Sequence, residues 1–239
     1  MLEARHLTKR YEGAPAAALD RLNLIVQAGD VFCLLGPNGA GKTTTVNLFL
    51  NFIDPTDGQA LVCGIDSAKD PLGARAKLAY IPETVMLYGA LTGLENLQYF
   101  SQISGGSAEP GELLSLLATA GLPPEAATRP VRGYSKGMRQ KVGVAIALAR
   151  RAEALVLDEP TSGLDPLAAN EFSALIERLR RDGMAVLMVT HDLFLAKQCG
   201  TKIGIMAAGK LASVFGADDV DHQGLELAYI NLFRKGVAA

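Results

Sequence analysis

The sequence has no apolar run long enough to cross a membrane. It is 49% hydrophobic over 239 residues, yet its longest candidate, Val142 to Ala149, is rich in small residues and bounded by Lys141 and Arg150-Arg151. A span takes about 20 apolar residues, so this stretch does not supply one. Met1 to Tyr11 is charged and carries no apolar h-region, so no secretory signal is expected and a cytoplasmic protein is. Cysteine is scarce: Cys33, Cys63 and Cys199 are scattered, with no C-x-x-C pair and no paired histidines. That excludes a disulfide framework or a structural metal site as the organising feature. The formal net charge is −2 with no basic block, which leaves no electrostatic footprint for nucleic acid. No internal repeat is visible, and the length fits one α/β domain with or without a subdomain.

What is present is glycine in a particular setting. Gly36-Pro37-Asn38-Gly39-Ala40-Gly41-Lys42-Thr43 reads G-x-x-x-x-G-K-T. Val31 to Leu35 before it is an unbroken apolar run, as expected for a strand buried on both faces. After it, Val46, Phe49 and Leu50 fall at helical spacing from Thr44 onward. Strand, glycine loop and helix are in the order a phosphate cradle requires, because glycines let successive N–H groups converge on one anion and the helix start adds more. Lys42 is expected to reach the terminal phosphates and the Thr43 hydroxyl to ligate Mg²⁺. An ordinary glycine-rich turn is the alternative; the flanking strand and helix argue against it.

In chain order, Met1 to Val26 reads as β structure, with Leu22, Leu24 and Val26 alternating against Arg21, Asn23 and Ile25. Tyr11 stands before a loose Gly13–Ala18 connection, where it either stacks on a base or covers the edge of a small sheet. Gln59 to Cys63 is expected to be a strand, Ala74 to Leu78 a helix, and Leu78 to Ile81 a strand ending at Pro82-Glu83. From Thr84 to about Arg132 the pattern turns helical. One helix holds Leu91, Leu94, Leu97 and Phe100 with a Thr92/Glu95 capping box, and a second runs from Glu112 to Ala120. Ser104-Gly105-Gly106-Ser107 between them reads as a flexible loop. A strong helix follows from Lys136 to Arg151, then a buried strand Ala154–Leu157, a helix capped by Asp165, and a third buried strand Ala185–Val189. A hairpin (203–206 with 211–214) and an amphipathic helix holding Leu225, Leu227, Ile230 and Phe233 close the chain.

Three apolar strands therefore end at the glycine loop, at Asp158-Glu159 and at His191. In doubly wound sheets ligands sit at the carboxyl ends of the strands. Asp158 has the charge and position to hold Mg²⁺, and Glu159 to orient or deprotonate a water aimed at the γ-phosphate. A solvated helix cap is the plainer reading of an Asp-Glu pair, and a packed or exposed side chain that of His191; the secure phosphate loop favours chemistry for both.

With these residues in view, the chain resembles the ATP-binding subunit of an ATP-binding-cassette transporter, in the branch serving bacterial exporters with small six-helix permeases. Gly36 to Thr43 matches Walker A, Leu155 to Glu159 Walker B, and Tyr134-Ser135-Lys136-Gly137-Met138-Arg139-Gln140 is similar to the signature sequence. Ser162 to Asp165 resembles the D-loop, His191 the switch histidine and Tyr11 the base-stacking aromatic, over nearly the whole chain from Leu2 to about Phe215. The resemblance implies an α/β P-loop NTPase with a RecA-like core, a mainly parallel sheet, an N-terminal antiparallel β subdomain and an inserted α-helical subdomain. The single domain would divide into a nucleotide core at 1–83 and 152–215, a helical part at 84–151 and a C-terminal helix at 216–239. It further implies ATP and Mg²⁺ as ligands. Tyr11, the loop Gly36, Pro37, Asn38, Gly39, Ala40, Gly41, Lys42, Thr43 and Thr44, and Ser135, Lys136, Gly137 and Asp165 would bind nucleotide. Thr43, Glu83 and Asp158 would hold the metal, and Lys42, Glu159 and His191 would carry catalysis.

Two positions depart from the pattern. Lys136 stands where the signature has a glycine, and Glu83 where the family has the Q-loop glutamine. The implied partners are an integral membrane permease, docked on the helical block after Glu83, and a second copy of the chain in a head-to-tail ATP sandwich, with no nucleic acid. Such a protein would lie peripherally on the inner face of the cell membrane. A soluble cassette ATPase usually has two cassettes or a coiled-coil insertion, and an unrelated P-loop kinase would lack the Ser135–Gly137 segment; both are rival readings.

Overall fold

The computed structural model describes residues 1–106 and 109–234. Strands β1 (Leu2–Lys9) and β2 (Leu19–Val26) pair antiparallel, with Leu2 opposite Val26. The alternation read in β2 is real: Leu22, Leu24 and Val26 are buried, while Ile25 faces solvent. Strand β3 (Val31–Leu35) leads through the glycine loop to α1 (Lys42–Phe49), and β4 (Asp57–Val62) and β5 (Ile65–Asp66) complete an antiparallel sheet of order β2-β1-β4-β5. Helix α2 (Pro71–Lys77) starts before the expected Ala74. Asp70 caps it by accepting from Gly73 N at 2.9 Å, and Pro71 takes the first turn, where its missing N–H costs nothing.

Strand β6 (Leu78–Ile81) is followed by α3 (Gly93–Ile103), α4 (Pro110–Thr119), α5 (Pro124–Ala127) and α6 (Lys136–Ala149). Helix does not begin at Thr84 or include Leu91: residues 82–92 are irregular. The buried Asn96 side chain holds that loop, accepting from Tyr88 N at 2.8 Å and donating to Thr92 O at 2.9 Å, which satisfies backbone groups a helix would otherwise pair. The capping box at Thr92 and Glu95 is present, with reciprocal bonds of 3.1 and 2.7 Å. Of the loop expected at 104–107, Ser107 lies outside the described residues.

The chain continues through β7 (Ala154–Asp158), α7 (Pro166–Arg181), β8 (Ala185–Thr190), α8 (Leu193–Cys199), the hairpin β9 (Lys202–Ala207) and β10 (Lys210–Gly216), and α9 (His222–Arg234). These strands form a sheet of order β10-β9-β3-β8-β7-β6, parallel except for the β9–β10 hairpin. Strands β3, β7 and β8 read as unbroken apolar runs because each face of the sheet has its own core. Val31, Cys33, Leu35, Leu155, Leu157, Val186 and Met188 pack with α3, α4, α6, α7 and α8, whereas Phe32, Leu34, Val156, Leu187 and Val189 pack toward α1 and the antiparallel sheet. In α9, Leu225 is buried but Leu227 is exposed, contrary to the amphipathic stripe expected. The packed stripe runs through Leu225, Ala228, Tyr229 and Leu232, and two residues beyond Leu225 lies on the opposite side of a helix. The part of this helix expected beyond Arg234 lies outside the described residues. Among the described residues, no helix is long and apolar enough to cross a membrane.

Candidate functional site

Strand register brings the chemistry to one edge. Leu35 pairs with Thr190 and Asp158 with Val189, so the glycine loop, Asp158-Glu159 and His191 all leave the sheet at the same level. The loop is packed tightly enough to need glycine at both ends. At Gly36 a Cβ would lie 2.5 Å from Met206 O, and at Gly41, with φ +109°, 2.7 Å from Ala18 O. Gly41 opens α1, whose first N–H groups have no helical acceptor. Lys42 folds back over the loop, its Nζ donating to Gly36 O at 2.5 Å and Pro37 O at 3.1 Å. Burial pushes the pKa of this ammonium down, and the charges of Glu159 and Asp158 oppose that shift.

At the next strand, burial raises the pKa of the Asp158 carboxyl, and the charges of Glu159 and Glu83 add to the rise. Tyr80 OH, donating to Asp158 Oδ2 at 3.3 Å, opposes it. Burial and the Asp158 charge in turn push the Tyr80 phenol up to about 12, so it remains a donor at neutral pH. Glu159 sits at φ +45°, an uncommon backbone for a non-glycine residue, held by its N–H donating to Val189 O at 2.8 Å. Its carboxylate is clasped by the end of β8: Thr190 Oγ1 donates to Oε2 at 3.0 Å, and His191 Nδ1 lies 2.8 Å from Oε1. Residue-by-residue reading missed Tyr80 and Thr190 as site residues; a hydroxyl side chain one residue from a functional strand end was the available signal.

Ser135 caps α6, its hydroxyl accepting from Met138 N at 3.2 Å, which leaves its own hydrogen free to donate outward. Gly137 occupies the first turn of the same helix. Glu83 lies beside this turn: Ser162 Oγ donates to its Oε1 at 2.8 Å and Lys136 Nζ is 3.5 Å from the same oxygen. Ser162 first, then Lys136, hold the Glu83 carboxyl below the usual carboxylate range. Asp165 acts as the cap of α7, accepting from Ala168 N at 2.9 Å. The phosphate loop borders a cavity of about 390 Å³ lined by Ala18, Pro37, Asn38, Lys42, Thr43 and Thr44, among others. Of the other expected site residues, Tyr11, Glu83, Ser135, Lys136, Gly137, Asp158, Glu159, Asp165 and His191 are not in that lining. Tyr11 is exposed, with the Lys9 ammonium 5.4 Å above its ring. A cavity of about 380 Å³ between the C-terminal ends of α3 and α6, lined by Ser104, Glu112, Arg150 and Arg151, has no such cradle. Chemistry, not volume, separates the two.

Residues 19–162 match the family model described as ABC transporter. The chain is 37% identical over 225 residues to a probable multidrug ABC transporter ATP-binding protein of Escherichia coli, covering 93% of this chain and 38% of that one. It thus spans about two fifths of that relative's length. It is 34% identical to the bacitracin transport ATP-binding protein of Enterococcus faecalis, covering 88% of this chain and 68% of that one. Among solved structures it is similar to the dimeric bacterial ABC transporter cassette MJ0796, with a TM-score of 0.79, 26% identity and coverage of 91% and 99%. A post-hydrolysis dimer of the same cassette, bound to ADP and Pi, matches with a TM-score of 0.78 at 27% identity.

Proposed function

The chain belongs to the ABC transporter family, and from that premise we propose that it binds and hydrolyses ATP to drive a membrane permease. The observation that carries the reading is the Glu159 clasp beside the phosphate loop. A carboxylate fixed by Thr190 and His191, at the level where the glycine loop and Asp158 leave the sheet, is placed to act on a terminal phosphate.

The residues fit a magnesium nucleotide. The loop is closed to any Cβ at Gly36 and Gly41, the Lys42 ammonium already rests on its carbonyls, and burial, with the charges of Glu159 and Glu83, raises the pKa of Asp158. Thr43, Asp158 and Glu83 would hold the metal, which when bound neutralises phosphate charge and polarises the phosphoryl group. Backbone N–H groups of the loop from Gly36 to Thr44, Pro37 excepted, would bind the phosphates, with Lys42 moving from its carbonyls to the β- and γ-oxygens. Glu159 would orient the attacking water and accept its proton, while His191 and Thr190 keep the carboxylate aimed. A base would stack on the Tyr11 face opposite Lys9.

Ser135 is exposed at the start of α6 and the similar cassette is a dimer, which supports the use of Ser135, Lys136 and Gly137 on the nucleotide of a second copy, in a head-to-tail sandwich that Asp165 would also border. Beyond Glu83, Met86 and Tyr88 are exposed, and Tyr88 meets Tyr99 edge-on with ring centroids 4.9 Å apart. This apolar cluster is the proposed seat of the permease, which would hold the protein at the inner face of the membrane. A relative of Mycobacterium tuberculosis named a fluoroquinolones export ATP-binding protein, 34% identical over 215 residues, points to export. The experiment is Glu159→Gln: it removes the base while keeping the shape, so hydrolysis falls at least ~100-fold and Mg·ATP converts monomer to dimer on sizing chromatography. Turnover within tenfold of the parent, or no dimer, contradicts the reading.

A further inference from the structure

The two positions that depart from the family pattern touch each other. Lys136, in the first turn of α6, and Glu83, just beyond β6, are separated by 53 positions in sequence yet lie 3.5 Å apart at Nζ and Oε1. Glu83 is gripped from two further directions: Ser162 Oγ donates to Oε1 at 2.8 Å, and Gln140 Nε2, one turn along α6 from Lys136, reaches the Glu83 backbone O at 3.4 Å. The Gln140 side chain is fully buried, so the backbone of residue 83 is tied to α6 from inside the protein while its side chain is tied from outside. Both side chains of the ion pair remain partly open to solvent, at 31% and 52%.

A lysine at this position brings a flexible four-carbon stem with many rotamers to a place where the family has a bare glycine. Left alone, its ammonium would sample solvent. A carboxylate brought into the acidic neighbourhood of Asp158 and Glu159 adds charge of the wrong sign for phosphate. Each change is unfavourable singly, and the contact between them answers both. The lysine is confined, and the extra negative charge is countered by an adjacent cation. We propose that Glu83 is a positioning residue for Lys136: held by Ser162 and Gln140, its carboxylate confines the lysine at the first turn of α6, so that the ammonium is presented to the terminal phosphate bound by a second copy of the chain. This rests on the sandwich reading above. Among the described residues no hydrogen bond falls on Glu83 Oε2, and a glutamine here would keep one acceptor oxygen for a metal, so Glu83→Gln removes the charge that confines Lys136 and not the ligand atom.

The test is a double-mutant cycle on the full chain in the Glu159→Gln background, with Glu83→Gln, Lys136→Gln and the two together. The readout is the Mg·ATP concentration giving half-maximal dimer. Each single variant raises that concentration about fivefold, the upper range for a partly exposed pair. The double variant raises it about fivefold as well, not the roughly twenty-five-fold product, and Glu83→Asp recovers part of the loss. Melting of the nucleotide-free chain serves as the structural control, and there the effects are small and additive. Multiplicative effects on dimerisation overturn the proposal, as does coupling that is equally strong in nucleotide-free melting, which makes the pair a fold clamp only. If the Glu159→Gln parent does not dimerise at all, the sandwich reading falls and this proposal with it. A dimerising parent with a multiplicative cycle removes the pair alone.

Discussion

Ser135 carries two duties that substitution can separate. Its hydroxyl oxygen caps α6 by accepting from Met138 N at 3.2 Å, and its exposed position leaves the hydrogen free for a phosphate on another chain. Ser135→Ala removes both. The lost cap costs about 1 kcal/mol, or about 2–4 °C in Tm for a domain of this size, and the lost charged hydrogen bond about 1.5–3 kcal/mol, or roughly 10- to 150-fold in dimer formation. Ser135→Asp keeps the cap, since aspartate serves as well as serine there, and its charge gains about 0.3–1 kcal/mol from the helix N-terminus. The same charge faces the partner's terminal phosphate. Two like charges about 4 Å apart repel by roughly 4 kcal/mol at an effective dielectric of 20; Lys136 offsets part, leaving a loss of at least ~100-fold. Circular dichroism melts without nucleotide and sizing chromatography with Mg·ATP, both in the Glu159→Gln background, read the two duties separately. The aspartate variant is expected to melt at or above the parent temperature and remain monomeric. If it dimerises with ATP as the parent does, Ser135 is a helix cap and nothing more.

Asp158→Asn is expected to raise the Tm of the nucleotide-free chain by about 2–4 °C, because burial already disfavours the carboxylate; its melt should gain less from Mg·ATP than the parent's. A less stable nucleotide-free variant contradicts this. Glu177, 2.6 Å from Arg180 and 2.9 Å from Arg181, has its pKa depressed to about 2 by those partners. Its folded value lies below its unfolded one, so its contribution is complete above about pH 4.5 and is lost as pH falls toward about 2. Glu177→Gln should therefore cost ~0.5 kcal/mol at pH 7, discounted for exposure, and progressively less in urea melts between pH 4.5 and 3; a constant difference contradicts the assignment.

Much of this was legible in the residues. The buried strands were visible because a sheet covered on both faces needs apolar side chains at every position, and β3, β7 and β8 have them. Start signals also spoke clearly at Thr92 and Asp165, where a short polar side chain has one local role. Other features depended on contacts that pattern does not encode. The irregular stretch at 82–92 exists because one buried amide, Asn96, meets its backbone groups, and nothing in the apolar spacing of Leu91 and Leu94 reveals that. Leu227 looked like part of a stripe because three of its neighbours are apolar, but the stripe is set by which residues meet the core. At the site, each charged residue could be named singly. The Glu83–Lys136 contact could not, since it joins segments that only the fold brings together. Tyr11 shows the converse: the resemblance implies a base there, and the fold sets the Lys9 ammonium over one face of its ring.

The central claim is that each nucleotide is shared between two chains. Lys42→Ala removes the cation at the phosphate loop, and Ser135→Arg blocks the first turn of α6 with a bulky side chain; in the Glu159→Gln background neither chain alone should associate with Mg·ATP. Mixed together, they can form a heterodimer in which one site carries both lesions and the other neither. Sizing chromatography of the mixture is expected to show an ATP-dependent dimer that each variant alone lacks. No dimer above that of the separate variants, over the ATP range in which the parent dimerises, would contradict a site built from two copies.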